Sequence, residues 1–261
     1  MPLPTSRLHK PYYRNGQSHR DGADVSFRDI VKFFGFRAVT IGKWVTPTEQ
    51  QIAANLFFDA LCDLMDILQI PETVISLNGS LSLAFGSGGK KHSNAHYDAQ
   101  TKRLALAKNA GGGALAHEWF HGFDHYICHK LFVHVSAGQF ASECWLQDHG
   151  QRPHRLNEKL SQCFETIFLG MDKSQPNEYV KRSAQADKIL KTFYYAQPQE
   201  LAARAFEACI QDNPIKNAFL VQGTKQSPEA KMGIYPTEEL RAIISKNILD
   251  YFFHLGQAID S

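Results

Sequence analysis

No apolar run in the 261 residues approaches the roughly 18 needed for a membrane-spanning helix. Net charge is also scarce. Lys and Arg total 28 against 26 Asp and Glu, and +2 is too weak a field to argue for nucleic acid or an anionic membrane. CxxC pairs are missing: the five cysteines stand apart at 62, 128, 144, 163 and 209 and read as reduced cytosolic thiols, mostly core filling. The first 25 residues carry Arg7, His9, Lys10, Arg14 and Arg20 without an apolar stretch, so no secretory signal is expected. The glycine-rich loop 86–91 lacks Walker spacing and does not lead into a helix, which excludes a phosphate cradle. No internal repeat is visible, and disordered, fibrous and low-complexity classes do not fit a chain that is 43% hydrophobic and 21% charged. What stands out is histidine, at 12 residues about twice ordinary usage.

The polar residues 1–25, with three prolines, read as a flexible N-terminal arm, and 26–261 as a single domain. The spacing predicts a short helix over Phe27–Phe34, ended by Gly35, and a strand over Arg37–Ile41. Thr46-Pro47-Thr48-Glu49 is a capping box with proline at the first helical position, opening a helix from Pro47 to about Gln69. Strands are expected at Thr73–Leu77, Leu81–Phe85, around His96-Tyr97 and at Arg103–Ala107, the last two joined by a hairpin loop at Asp98–Lys102. Helices then follow at about 114–132, 153–169, 176–194, 198–211 and 236–255. Strands gather in the first half and helices in the second, which makes the class α+β. Trp44, Trp145, Phe57, Phe58 and Tyr251-Phe252-Phe253 are expected in the core or facing a partner, and Lys225–Lys231 in an exposed loop.

His117-Glu118-Trp119-Phe120-His121 is HExxH inside a helical segment. Chance supplies about 0.025 such matches at this composition. Spacing of i and i+4 puts both imidazoles on one helix face, where two nitrogens can reach a single Zn²⁺. Glu118, about 100° around the helix from His117, is placed to act on water rather than to ligate. A catalytic zinc takes three protein ligands. A third histidine at the HExxHxxGxxH position is ruled out, because Asp124 and Ile127 stand where that pattern needs Gly and His. A downstream glutamate is then required, from among Glu143, Glu158, Glu165, Glu178, Glu200 and Glu207. Glu200 has the best setting, in the first turn of a helix rich in small residues that can approach closely. Asp124, three residues after His121 and on the same face, is suited to accept an imidazole N–H and fix the tautomer. His125 and His129 continue the i+4 ladder, and some of these histidines are expected at the surface. His96 is a candidate cleft residue, and His92 with His96 forms a second HxxxH outside helical geometry.

The stretch GGGALAHEWFHGFDHY at Gly111–Tyr126, with AHYD at Ala95–Asp98 and PQELAARAFEA at Pro198–Ala208, resembles the zincin-like domain of large polyvalent phage-associated proteins. It resembles the bacterial CLCA_X proteins more closely, from about Pro11 to Leu255, including FGFRAVTIGKWV at Phe34–Val45 and Tyr235-Pro236. HEWFHGFD and ELAARAF are more distantly similar to motifs of the lethal-factor toxin metalloproteases. The resemblance implies a zincin-like α+β domain: a small mixed sheet with an edge strand beside the HExxH helix, then a helical C-terminal half. It implies His117, His121 and Glu200 as zinc ligands, with Glu118 as general base. The toxin family places a tyrosine seven residues before its glutamate ligand; here that position is Phe193, and Tyr194 or Tyr195 would have to supply the phenol for the oxyanion. In such peptidases an edge strand pairs with substrate backbone, and Arg103–Lys108 is the candidate. Gly111–Gly113 would either keep side chains clear of the metal or simply form a tight strand-to-helix turn, the reading favoured by glycine itself.

The expected activity is that of a cytoplasmic zinc metallopeptidase acting on a peptide or protein substrate, without nucleic-acid or membrane partners. The rival is a non-catalytic, zinc-stabilised accessory module of phage or mobile-element origin, in which Glu118 would be dispensable. A nucleic-acid-processing protein rests only on the mobile-element association and is disfavoured by the charge.

Overall fold

The protein is seen as a computed structural model that describes residues 7–87, 95–108 and 112–260. The chain divides into two compact units, Met1–Gly122 with Pro214–Gln222, and Phe123–Asn213 with Gly223–Ser261.

In the first unit, α1 (Phe27–Phe34) begins at a Ser26/Asp29 capping box and ends on Gly35 at φ 73°. β1 (Ala38–Ile41) leads to α2 (Pro47–Leu68), whose Thr46/Glu49 capping box and N1 proline are those of the sequence signal. β2 (Ser82–Phe85), β3 (Ala95–Asp98) and β4 (Arg103–Leu106) complete a four-stranded mixed sheet of order β1-β2-β4-β3. β1 with β2 and β2 with β4 are parallel, and β3 runs antiparallel to β4, Tyr97 standing opposite Leu104. The hairpin loop is an Asx turn: an Asp98 carboxylate oxygen accepts from the backbone of Gln100 at 3.0 Å. Phe27, Phe57 and Phe85 pack ring on ring beneath the sheet, at centroid separations of 5.6 to 6.2 Å.

The arm is fastened to α2 by three carboxylates at helical spacing. Arg20 pairs with Asp59 at 2.9 Å, Arg14 grips both oxygens of Asp63 at 2.7 Å, and His19 lies 3.1 Å from Asp66. Gly16 passes so close that a Cβ would stand 2.3 Å from Asp63 Oδ1.

Two expectations for this unit are corrected. Thr73–Leu77 is no strand: Glu72–Ile75 forms a single helical turn, α3. The β-branched run there favours a strand locally, but Leu77, Asn78 and Gly79 are all left-handed, and Asn78 N–H closes a turn onto Thr73. Arg103–Lys108 is no edge either, since β4 is paired on both sides and β3 holds the outer position. Hydrophobic pattern encodes burial but not pairing order. Trp44, expected in the core or facing a partner, is 76% exposed.

α4 (Leu115–Leu131) gives its first two turns to this unit and the rest to the second. The second unit adds α5 (Ala141–Leu146), α6 (Arg155–Phe168), α7 (Glu178–Leu190), α8 (Pro198–Asp212), α9 (Pro228–Lys231) and α10 (Glu238–Asp260). α10 packs along both α6 and α8. Phe123, Phe206, Tyr251 and Phe252 form one aromatic cluster of its core, and Trp145, Phe164 and Phe168 another. α5 escaped the sequence reading, and the expected loop Lys225–Lys231 contains α9. All five cysteines are free and buried, and burial pushes the Cys62 and Cys209 thiols up to about 12, far from reactivity. Among the described residues no helix is long and apolar enough to cross a membrane.

Candidate metal centre

The HExxH helix starts from a glycine turn that cannot accommodate side chains. A Cβ on Gly112 would stand 2.5 Å from Phe219 Cα and 2.7 Å from a Tyr12 ring carbon, and Gly113 is left-handed at φ 104°. The Tyr12 hydroxyl accepts from Gly112 N–H at 2.8 Å, and the Phe219 and Leu220 carbonyls accept from Gly113 and Ala116. The close approach thus accounts for Gly112 and Gly113 as a tight turn; Gly111 lies outside the described residues.

One turn along α4, His117 and His121 are buried with their Nε2 atoms 3.0 Å apart and their rings nearly perpendicular. Two nitrogens bound to one tetrahedral zinc at 2.0–2.1 Å would stand about 3.3 Å apart, so the pair is close to ligand spacing as it stands. Between them Glu118 is half-buried, and its Oε2 accepts the backbone N–H of Tyr97 at 2.6 Å. The acid is therefore tied to β3, the outer strand, where His96 is the neighbouring residue. His92 lies outside the described residues. On another face of α4, Trp119 is fully buried and its indole N–H donates to the Ile75 carbonyl at 2.9 Å, which anchors the helix against rotation.

In the second unit the continuation of α4 carries Asp124, fully buried, whose carboxylate accepts from the backbone N–H of Ser142 at 2.8 Å and from its hydroxyl at 2.6 Å. These bonds fix the start of α5. His125 is buried 5.6 Å from the Phe140 ring, while His129 is exposed, so one of the two ladder histidines lies at the surface.

Glu200 lies in the first turn of α8, which is buried without a break from Glu200 to Ile210. Ala202, Ala203, Ala205 and Ala208 let neighbours come close to that helix. A carboxylate there needs a partner, and Arg204, one turn on, brings Nη2 to 3.0 Å from Glu200 Oε2. Burial works most strongly against the Arg204 charge, but Glu200 together with Tyr179, Tyr194 and Tyr235 outweighs it and the guanidinium pKa moves up. The rings of Tyr194 and Tyr195 cover the guanidinium at 5.1 and 4.9 Å. Phe193, seven residues before Glu200, is 92% exposed. The loop bearing the two tyrosines is gathered by Asp187, whose carboxylate accepts from the backbone N–H of Tyr194, Tyr195 and Ala196 at 3.1, 2.9 and 2.9 Å.

Sequence reasoning missed Arg204 and Asp187. Arg204 had a signal, a basic residue four after the proposed ligand; Asp187 had none, because its bonds run to main chain seven to nine residues away. A second group able to hold a cation, His19 with Asp63 and Asp66, is already engaged: Asp63 is gripped by Arg14 and accepts from Asn217 at 2.7 Å.

Residues 186–259 match the family model for large polyvalent protein-associated domain 1. That stretch takes in Asp187, Tyr194, Tyr195, Glu200 and Arg204 and leaves α4 outside it. No curated protein and no solved structure matches the chain. Over its last third the chain therefore carries a domain similar to large polyvalent protein-associated domain 1.

Proposed function

We propose that the chain is a zinc-dependent metallopeptidase of the HExxH-plus-glutamate type on a zincin-like scaffold, with His117, His121 and Glu200 as ligands and Glu118 as general base. The observation that carries the reading is the buried His117–His121 pair, set near ligand spacing. The donor set fits the metal. Two imidazoles and a carboxylate, each buried, are the donor types that a catalytic zinc takes as its three protein ligands. Bound there, zinc supplies Lewis acidity towards a peptide carbonyl and lowers the pKa of water towards 7.

The chain's own residues supply the rest. Glu118 takes the proton of the attacking water and returns it to the leaving amine. Its anchor on the Tyr97 N–H holds the carboxylate in one orientation. Tyr194 and Tyr195 are the candidates to hydrogen-bond the oxyanion, and His96 on β3 is a candidate to meet the substrate. The substrate is a peptide or protein, and a cytoplasmic setting suits the five free thiols.

The Glu118–Tyr97 bond also favours a second reading, in which Glu118 is a structural tie between α4 and β3 within a zinc-stabilised accessory module. Glu118→Gln separates the two. On the peptidase reading it keeps zinc and loses cleavage of a mixed synthetic peptide library by about 10²–10⁴-fold. Undiminished cleavage by Glu118→Gln sinks the mechanism. A wild-type chain that cleaves nothing and unfolds when zinc is stripped supports the module.

A further inference from the structure

Four side chains that the metallopeptidase reading leaves without a shared task form one chain of contacts ending on Glu200. Asp187 gathers three consecutive backbone N–H groups of the Tyr194–Ala196 loop. That arrangement is a charge-assisted nest, and it fixes the loop's backbone rather than any one side chain. The loop then presents two phenol rings, 5.2 Å apart, to the same guanidinium. Arg204 Nη1 is buried with no hydrogen-bond partner among the described residues, so the ring faces are what receives that part of the cation. Its Nη2 meets the Glu200 carboxylate. A free arginine has many rotamers and a lone buried glutamate several; here each link removes the freedom of the next.

Resting on the zinc reading of Glu200, we propose that Arg204 and Asp187 are positioning residues that hold the Glu200 carboxylate in its ligating orientation, Arg204 directly and Asp187 through the two tyrosine rings. Partners that orient a metal ligand typically contribute 10–100-fold in metal affinity. Arginine suits the place better than lysine, because a planar guanidinium can lie against two rings and still reach a carboxylate. The phenol oxygens are not needed for this task, so Tyr194→Phe with Tyr195→Phe preserves it.

The test uses the full chain, with zinc affinity measured by competition against a chromophoric chelator and the visible spectrum of the cobalt(II)-loaded protein as a report of ligand geometry. Arg204→Gln is expected to weaken zinc by about 10–100-fold and to shift the cobalt bands. Asp187→Asn should weaken it by a smaller factor, Arg204→Lys should recover only part of the loss, and the double Phe variant should bind as wild type. Thermal unfolding of each metal-free variant separates lost positioning from lost folding. If Arg204→Gln does not fold, Arg204→Lys and Asp187→Asn carry the same comparison. Wild-type affinity and an unchanged cobalt spectrum in Arg204→Lys and Asp187→Asn overturn the positioning role while leaving zinc on Glu200 intact. A chain that binds zinc equally well as Glu200→Ala, or not at all, overturns the reading beneath it as well.

Discussion

The HExxH turn and the start of α8 solve the same problem, holding buried polar groups in place, with different materials. Around the HExxH turn, main-chain groups hold several of the neighbours of His117 and His121. The Tyr97 N–H holds Glu118, the Ile75 carbonyl holds Trp119, and the Phe219 and Leu220 carbonyls hold the turn before the helix. Around Glu200 the partners are side chains, with Arg204 on the carboxylate, two tyrosine rings on Arg204, and Asp187 behind them. Main-chain partners come with the fold and survive most substitutions. A side-chain relay is tunable, and a single change of residue can break it. A peptidase built in this way would keep its histidine pair rigid and adjust metal affinity through the glutamate.

The sharpest way to break the comparison is at Trp119. Replacing this fully buried indole by alanine removes its packing and its bond to Ile75, and unfolding in urea should show a loss of about 3–5 kcal/mol. The α8 side should respond more gently. Tyr179 donates to the Leu201 carbonyl at 2.8 Å beside Glu200, and Tyr179→Phe keeps the ring while deleting only that bond. Its expected cost is about 0.5–1.5 kcal/mol by the same measurement. If Tyr179→Phe proved costlier than Trp119→Ala, the HExxH turn could not be the more firmly seated of the two regions.

Much of the first region was legible in sequence because helical spacing is a local rule. Four residues of separation place His117 over His121 whatever the rest of the chain does. The apolar spacing of Phe27–Phe34 and the capping box at Thr46 are equally local, and α1 and α2 lie where those signals put them. Legibility ended where pairing or distance decides. The β-branched Thr73-Val74-Ile75 run reads as a strand until three left-handed residues turn it back, and Arg103–Lys108, expected as an edge, has β3 paired outside it. The arm's Arg14 and Arg20 meet carboxylates 49 and 39 residues away, and no periodicity links them. Arg204 was visible as a charge on α8, but nothing in the pattern indicated that it would be buried against two rings. The 12 histidines divide accordingly. Spacing singled out the proposed ligand pair, while it drew no distinction between His125 and His129 although one is buried and the other exposed.

The account stands or falls on zinc. Elemental analysis of the purified full chain, with His117→Ala, His121→Ala and Glu118→Gln measured alongside, tests it most directly. One zinc per chain in the wild type, retained by Glu118→Gln and lost from both histidine variants, is the predicted result. A wild-type stoichiometry near zero after incubation with zinc would contradict the account at its centre.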